Sequence, residues 1–372
     1  MLKKILIILV ILLLALIGYF SFWPIKIDPQ PWDAPKDNGY TGVFAPNMAL
    51  AGLNSLSIGE HHGPEDVAAR LENGRMIAYT STQSGDIIRI DTVTNTHKVI
   101  ANTGGVALGI QFDSRGNLII ADANKGLLSL DESREIELLT NRAENDSPIL
   151  YADELDISED GKIFFSDAST KFGAEEAGSS LSASLLEISE HGKTGRVLVY
   201  DPSDGSTKTI MKNLSFPNGI AMCPDYACIL VAETGEYRVH KFWLTGEKAG
   251  TSEIIIDNLP GFPDNINRGQ DGRYWIGLTS PRLPALDASA QKPFLRAIGQ
   301  RLPKLMQPAP KHYGFVLAID VDGNVIAQYQ DPSAQYPLTT GATEPGDGWL
   351  YIGSLSASYL GRKNIEHERF GQ

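Results

Sequence analysis

Leu108-Gly109-Ile110-Gln111-Phe112-Asp113-Ser114-Arg115-Gly116-Asn117-Leu118-Ile119-Ile120-Ala121-Asp122 is two short apolar runs joined by a polar turn. Runs of this length, rich in β-branched residues and bounded by Gly, Asp and Asn, are strand signals rather than helix signals. The same grammar returns in Glu154-Leu155-Asp156-Ile157-Ser158-Glu159-Asp160-Gly161-Lys162-Ile163-Phe164-Phe165-Ser166-Asp167. It returns again from Asn218-Gly219-Ile220 to Val231-Ala232-Glu233, and from Asp264-Asn265-Ile266 to Trp275-Ile276-Gly277. A first copy runs from Glu65-Asp66-Val67 to Tyr79 with Gly74 in its turn, and the last holds Gly346-Asp347-Gly348-Trp349-Leu350-Tyr351-Ile352-Gly353. Further strands follow each copy, such as Gly195 to Asp201 and Phe315 to Asp320. Units of four short strands recurring about every 45 residues predict an all-β fold, a six-bladed β-propeller, over residues 41–372. The stretch from Gly42 to Ile58 would complete the last blade and close the ring.

The repeat stretches in two places, between Lys171 and Lys193 and between Pro281 and Tyr313. The second insert carries Leu286, Phe294, Leu295, Ile298, Leu302, Leu305 and Met306 and reads as partly helical with one apolar side. Simple packing, a lid and a membrane-facing patch all fit that pattern.

The rest of the composition agrees with a turn-rich chain: 36 Gly and 21 Pro among 372 residues supply the turns that many short strands need. A formal net charge of −13 excludes the basic stripe that nucleic-acid binding requires and suits a cation, although acidic surfaces also serve solubility alone. The amino terminus differs in kind. Ile5 to Trp23 carries no charge, long enough to cross a bilayer as a helix, with Lys3 and Lys4 before it and Tyr19, Phe20, Phe22 and Trp23 at its far end. Residues 1–23 therefore read as a cytoplasmic tip and transmembrane signal anchor, with a cleaved signal peptide as the competing reading. The propeller would then lie outside the cytoplasm, in the periplasm if the source is bacterial. Residues 24–40, holding Pro24, Pro29, Pro31 and Pro35, read as an extended stalk. The two cysteines, Cys223 and Cys228, flank a Pro-Asp-Tyr-Ala loop at the base of a hairpin. A cross-strand disulfide and a pair of reduced thiols are both open, and zinc is excluded by the spacing.

In a propeller the innermost strand of each blade lines the axis, so equivalent positions form a ring. The residues opening these strands are Glu65, Gly109, Asp153, Asn218 and Asp264. Oxygen donors at four such positions, three of them carboxylates, point to Ca²⁺ rather than to zinc or copper. Asp and Asn also cap strands and turns, which is the plain alternative for each taken alone.

At these residues the chain resembles the strictosidine-synthase-like propellers, within the wider superfamily of gluconolactonase, regucalcin and paraoxonase. The resemblance rests on Gly63-Pro64-Glu65-Asp66, Phe165-Ser166-Asp167-Ala168-Ser169-Thr170-Lys171-Phe172, Phe216-Pro217-Asn218-Gly219, Val231-Ala232-Glu233-Thr234-Gly235-Glu236-Tyr237-Arg238, Gly261-Phe262-Pro263-Asp264-Asn265 and Tyr351-Ile352-Gly353-Ser354-Leu355. It implies metal ligands at Glu65, Asp153, Asn218 and Asp264, with Asn265 on or near the ion; Asp153 departs from the Asn that many relatives carry. It also implies a base Glu shortly before the final repeat. Here Gly341 or a neighbour stands at that position, Glu344 is shifted in register and the accompanying His is absent, so condensation of an amine with an aldehyde is not expected. His61 and His62 precede the Glu65 strand; a place facing the funnel and plain loop surface both fit, with loop surface the favoured reading.

Two functions fit. One is a membrane-anchored, calcium-dependent hydrolase of small lactones or carboxylic esters, with Asp264 as base or nucleophile. The other is a non-enzymatic propeller, stabilised by calcium, that binds a protein or envelope partner.

Overall fold

Each repeat has folded into a four-stranded antiparallel sheet, and six such sheets follow one another along the chain. The computed structural model describes residues 1–368 and Phe370. The inner strands are Pro64–Glu72, Ala107–Phe112, Ala152–Ile157, Pro217–Met222, Gly261–Arg268 and Thr339–Thr343, one per blade. In five blades the four strands run inward to outward in sequence order. In the sixth, the strand Asn54–Ser57 supplies the outer edge and pairs antiparallel with Tyr359–Asn364, Asn54 opposite Arg362. Chain start and chain end therefore share one sheet, which closes the ring as the reading of residues 42–58 expected.

The blades pack through the alternating side chains of their strands. Trp275, Phe165, Phe315, Tyr351 and Tyr336 are fully buried between sheets, and the Tyr336 hydroxyl donates to the carbonyl of Ile352 at 2.6 Å. Among the described residues, five α-helices lie outside the sheets: α1 (Leu2–Phe22), α2 (Ala174–Ala177), α3 (Ser180–Glu190), α4 (Pro284–Ala288) and α5 (Pro293–Arg301). The last four occupy the two places where the repeat stretches. Helix α1 has 21 residues and none buried, and at about 1.5 Å per residue it is long enough for a hydrocarbon core.

Residues 24–40 form neither helix nor strand and lie docked on the propeller. The amide of Asp28 donates to Glu190 at 2.7 Å, the Trp32 ring stacks on His191 with centroids 4.0 Å apart, and Arg282 donates to the carbonyl of Pro35 at 2.5 Å. Ile27 and Trp32 are buried. Two apolar side chains in a short segment remove enough surface from water to hold it down, and hydrogen bonds fix its register. Cys223 and Cys228 form a disulfide with Cα atoms 5.2 Å apart, closing the Pro224–Ala227 loop, so the first of the two readings holds.

Candidate metal and catalytic centre

Every inner strand breaks register at the same place. In blade one, Pro64 faces Thr82 and Val67 faces Thr80, so three steps on the inner strand span two on its partner. The same one-residue bulge recurs between Ala107 and Ile110, Ala152 and Leu155, Pro217 and Ile220, Pro263 and Ile266, and Thr339 and Ala342. A bulge sets two residues against one and re-aims their side chains. Six bulges thus make two stacked rings about the axis. The first positions are Glu65, Leu108, Asp153, Asn218, Asp264 and Thr340; the second are Asp66, Gly109, Glu154, Gly219, Asn265 and Gly341.

This register corrects one sequence assignment. Leu108, not Gly109, is the counterpart of Glu65, and Gly109 belongs with Asp66. The second ring alternates a side chain with a glycine because there is room for only three side chains. A Cβ on Gly109 would lie 2.7 Å from Glu154 Oε1, and one on Gly219 would lie 2.3 Å from the amide nitrogen of Ile266.

Glu65, Asp153, Asn218 and Asp264 all line one cleft, as the ring reasoning required. They come from four blades and meet on the propeller axis. The cleft measures about 750 Å³ including its mouth, and above the polar floor its walls are mostly apolar: Leu108, Tyr151, Phe216, Phe262, Leu283 and the α3 residues Leu181, Leu185 and Ile188. Phe216 is held at φ 55°, in the left-handed region that favours glycine, with its ring edge-on to Tyr151 at 5.3 Å. Such a conformation in a bulky residue costs on the order of 1 kcal/mol and marks a place where the surroundings dictate the backbone.

The four floor residues and Asn265 are buried. The Asn218 amide nitrogen donates to Asp153 Oδ2 at 3.1 Å and also to Asp264, so one NH₂ group bridges two carboxylates. Asn265 donates to Glu65 Oε1 at 3.1 Å. That leaves Glu65 Oε2, Asn218 Oδ1 and Asn265 Oδ1 buried with no hydrogen-bond partner. Burial pushes the Asp153 carboxyl up to about 8. Burial, and then the neighbouring charges of Asp264, Asp66 and Asp153, hold Glu65 well above the carboxylate range; burial and Asp153 do the same to Asp264. The Tyr151 hydroxyl is driven well above its usual value, by burial first and then by Asp153, Asp264 and Glu65, and so stays a hydrogen-bond donor.

Carboxylates that raise one another's proton affinity, beside acceptor oxygens with no donor, make a place where a cation would relieve both. Among the described residues no three His, Cys, Asp or Glu side chains close around an ion by themselves. The donor set is mixed instead, carboxylates alternating with amides, all hard oxygen and therefore suited to Ca²⁺.

Sequence reasoning missed Leu108, Tyr151, Thr340 and the α3 side chains. The Thr340 hydroxyl donates to the carbonyl of Glu65 and ties blade six to blade one. The bulge doublets were visible as Pro-Glu-Asp-Val, Ala-Leu-Gly-Ile, Ala-Asp-Glu-Leu, Pro-Asn-Gly-Ile, Pro-Asp-Asn-Ile and Thr-Thr-Gly-Ala, and aligning them would have placed Leu108 and Thr340. Glu344 lies elsewhere. It accepts from Arg273 at 2.6 Å and from the Trp275 indole at 2.8 Å, at the ends of the inner strands opposite the cleft. His61 is a partly exposed loop residue paired with Asp86 at 3.1 Å, and His62 is exposed.

The strictosidine synthase family profile matches residues 153–247, and the profile of the strictosidine synthase-like N-terminal region matches residues 42–90. Protein Strictosidine synthase-like 4 of Arabidopsis thaliana is 34% identical over 330 residues, covering 85% of this chain and 83% of that protein. The chain belongs to the strictosidine synthase-like family. Adipocyte plasma membrane-associated protein of Bos taurus is 29% identical over 381 residues, covering 95% of this chain and 88% of that one. Among solved structures, a gluconolactonase from Xanthomonas campestris superposes with a TM-score of 0.60 at 15% identity, covering 93% of this chain and 98% of that one. A calcium-binding regucalcin from Agrobacterium tumefaciens gives 0.54 at 16% identity, covering 81% and 85%. Identities this low attest the propeller fold shared with this strictosidine synthase-like chain. Its Gly341 occupies the second bulge position of blade six.

Proposed function

We propose that this protein is a calcium-dependent hydrolase of carboxylic esters or lactones, held at a membrane by α1 with its propeller outside the cytoplasm. The observation that carries the reading is the floor of the cleft: three buried, partnerless acceptor oxygens among three proton-hungry carboxylates, beneath apolar walls. Glu65, Asp153, Asn218 and Asp264 would hold the ion, with Asn265 beside it. Calcium, when bound, supplies positive charge that favours the negative charge developing on a substrate carbonyl oxygen. Asp264 accepts the proton of a water whose oxygen attacks the acyl carbon. The acyl C–O bond then breaks and the proton passes to the leaving oxygen, so ester plus water gives acid plus alcohol. A buried carboxylate beside the ion is placed to accept that proton. Tyr151 orients the substrate from the wall, and the apolar side chains around it exclude other water. The names gluconolactonase and regucalcin on proteins of this fold support the reading.

The test is a panel of small esters and lactones offered to the detergent-solubilised full chain. Turnover that disappears with chelator and returns with added Ca²⁺ is the expected result. Inactivity across the panel, with Ca²⁺ bound by calorimetry, would leave the calcium-stabilised binding module as the function.

A further inference from the structure

The insert between Pro281 and Tyr313 forms one wall of the cleft and also a surface with no partner. Within it Phe294, Leu295, Leu305 and Met306 are exposed, Leu305 completely. Elsewhere on the described propeller, exposed large apolar side chains include Leu71 and Val93 on blade one, Leu138 on blade two and Ile254 on blade four. Gln307 donates to the carbonyls of Gln300 and Leu302 at 3.2 and 2.9 Å, folding the Leu305–Met306 turn back against the end of α5, the helix that carries Phe294 and Leu295. Charge is concentrated there too. Residues 281–313 contain six Arg or Lys against one Asp, a net +5, in a chain of net −13. Of these, Lys292, Lys304 and Lys311 are exposed.

This surface is continuous with the candidate membrane span. Arg301, the last residue of α5, donates to the carbonyls of Trp23 at 2.7 Å and Phe20 at 3.0 Å, and the Tyr19 hydroxyl donates to the carbonyl of Arg301 at 3.0 Å. Tyr19 and Trp23 are the aromatic residues at the far end of α1, and such residues sit at headgroup depth. α5 is tied to that depth. It is also tied to the mouth of the cleft: Arg296 donates to the carbonyl of Ser189 on α3 at 3.1 Å, and Leu181, Pro310 and Leu283 line the opening.

We infer that the α5 insert is an interfacial surface that rests on the lipid bilayer, apolar side chains among the acyl chains and lysines among anionic headgroups, and that it turns the cleft mouth to the membrane. Exposed apolar side chains in a basic segment are the pattern of a helix lying in the interface plane. The cleft then takes its substrate from the bilayer. This last step rests on the hydrolase reading and narrows its substrate class to a lipophilic ester or lactone that partitions into membranes.

The test uses the full chain in vesicles of phosphatidylcholine and phosphatidylglycerol. The native cysteines are disulfide-bonded, so Leu305→Cys and, on a distant blade, Val93→Cys each accept a single environment-sensitive fluorophore. Blue-shifted emission and quenching by brominated lipid at position 305, with neither at 93, is the expected result; a label at 305 as wet as that at 93 overturns the inference. Phe294→Asp combined with Leu305→Asp should lower kcat/KM roughly tenfold or more for a long-chain ester carried in the vesicles. It should leave a short water-soluble ester unaffected. Equal losses on both esters would overturn delivery from the membrane. If the unmutated chain hydrolyses neither ester, the hydrolase reading fails while the labels still decide the docking.

Discussion

Asp153→Asn should make the calcium-free protein more stable at alkaline pH, and the size of the gain follows from the ring. The Asp153 carboxyl is buried and pushed up to about 8, against about 3.9 in an unfolded chain. Between those values the folded state holds a proton that the unfolded state releases, so stability falls as pH rises, by about 1.36 kcal/mol per unit. From pH 5 to pH 8 that is three units, or about 4 kcal/mol lost from this one group. Asparagine keeps the shape and an oxygen, and it does not titrate. It also removes the charge that raises Glu65 and Asp264, so their own losses shrink in the same direction. Urea unfolding of full-length protein in detergent, with chelator, at pH 5 and pH 8 measures both slopes. The two proteins should be nearly equal at pH 5, and the variant several kcal/mol more stable at pH 8. Saturating Ca²⁺ should remove most of the pH dependence of the unmutated protein, because the cation takes the place of the proton. Parallel stability curves for the two proteins in chelator would refute the account of a proton-loaded ring.

Asp264→Asn should abolish ester hydrolysis while weakening Ca²⁺ binding less than Glu65→Ala, since asparagine retains an oxygen donor and alanine deletes one; calorimetric titration beside turnover separates the two effects. Replacing both Cys223 and Cys228 by serine should cost about 2 kcal/mol, the value for so short a closed loop, with Ca²⁺ affinity unchanged, as read by denaturant midpoint and titration. Glu344→Gln should cost about 3 kcal/mol by leaving the buried Arg273 with only the exposed Asp271 as counter-charge. The hydrolytic rate per folded molecule should be unaltered, and a selective loss of rate would place Glu344 in the catalytic machinery.

The propeller was legible from local pattern alone, because short alternating runs, turn glycines and a near-constant repeat length are properties of neighbouring residues. The ring of Glu65, Asp153, Asn218 and Asp264 was legible for the same reason: equivalent positions in a repeat must meet on the axis. The disulfide was only half legible, since a hairpin puts Cys223 near Cys228 without saying that they bond. Leu108 was displaced by one residue because a bulge changes which side chain faces the cleft, and register depends on pairing with another strand. Tyr151 directly precedes its bulge strand, at the position Phe216 and Phe262 hold in their own blades, so the repeat carried a signal for it that the strand-opening residues alone did not use; the α3 residues lie in an insert outside the repeat, so no periodicity announces them. The proline segment shows the limit most plainly. Its composition predicts an extended backbone, but whether Ile27 and Trp32 hang in solvent or are buried depends on His191, Glu190 and Arg282, residues more than a hundred positions away that only the closed ring brings beneath it.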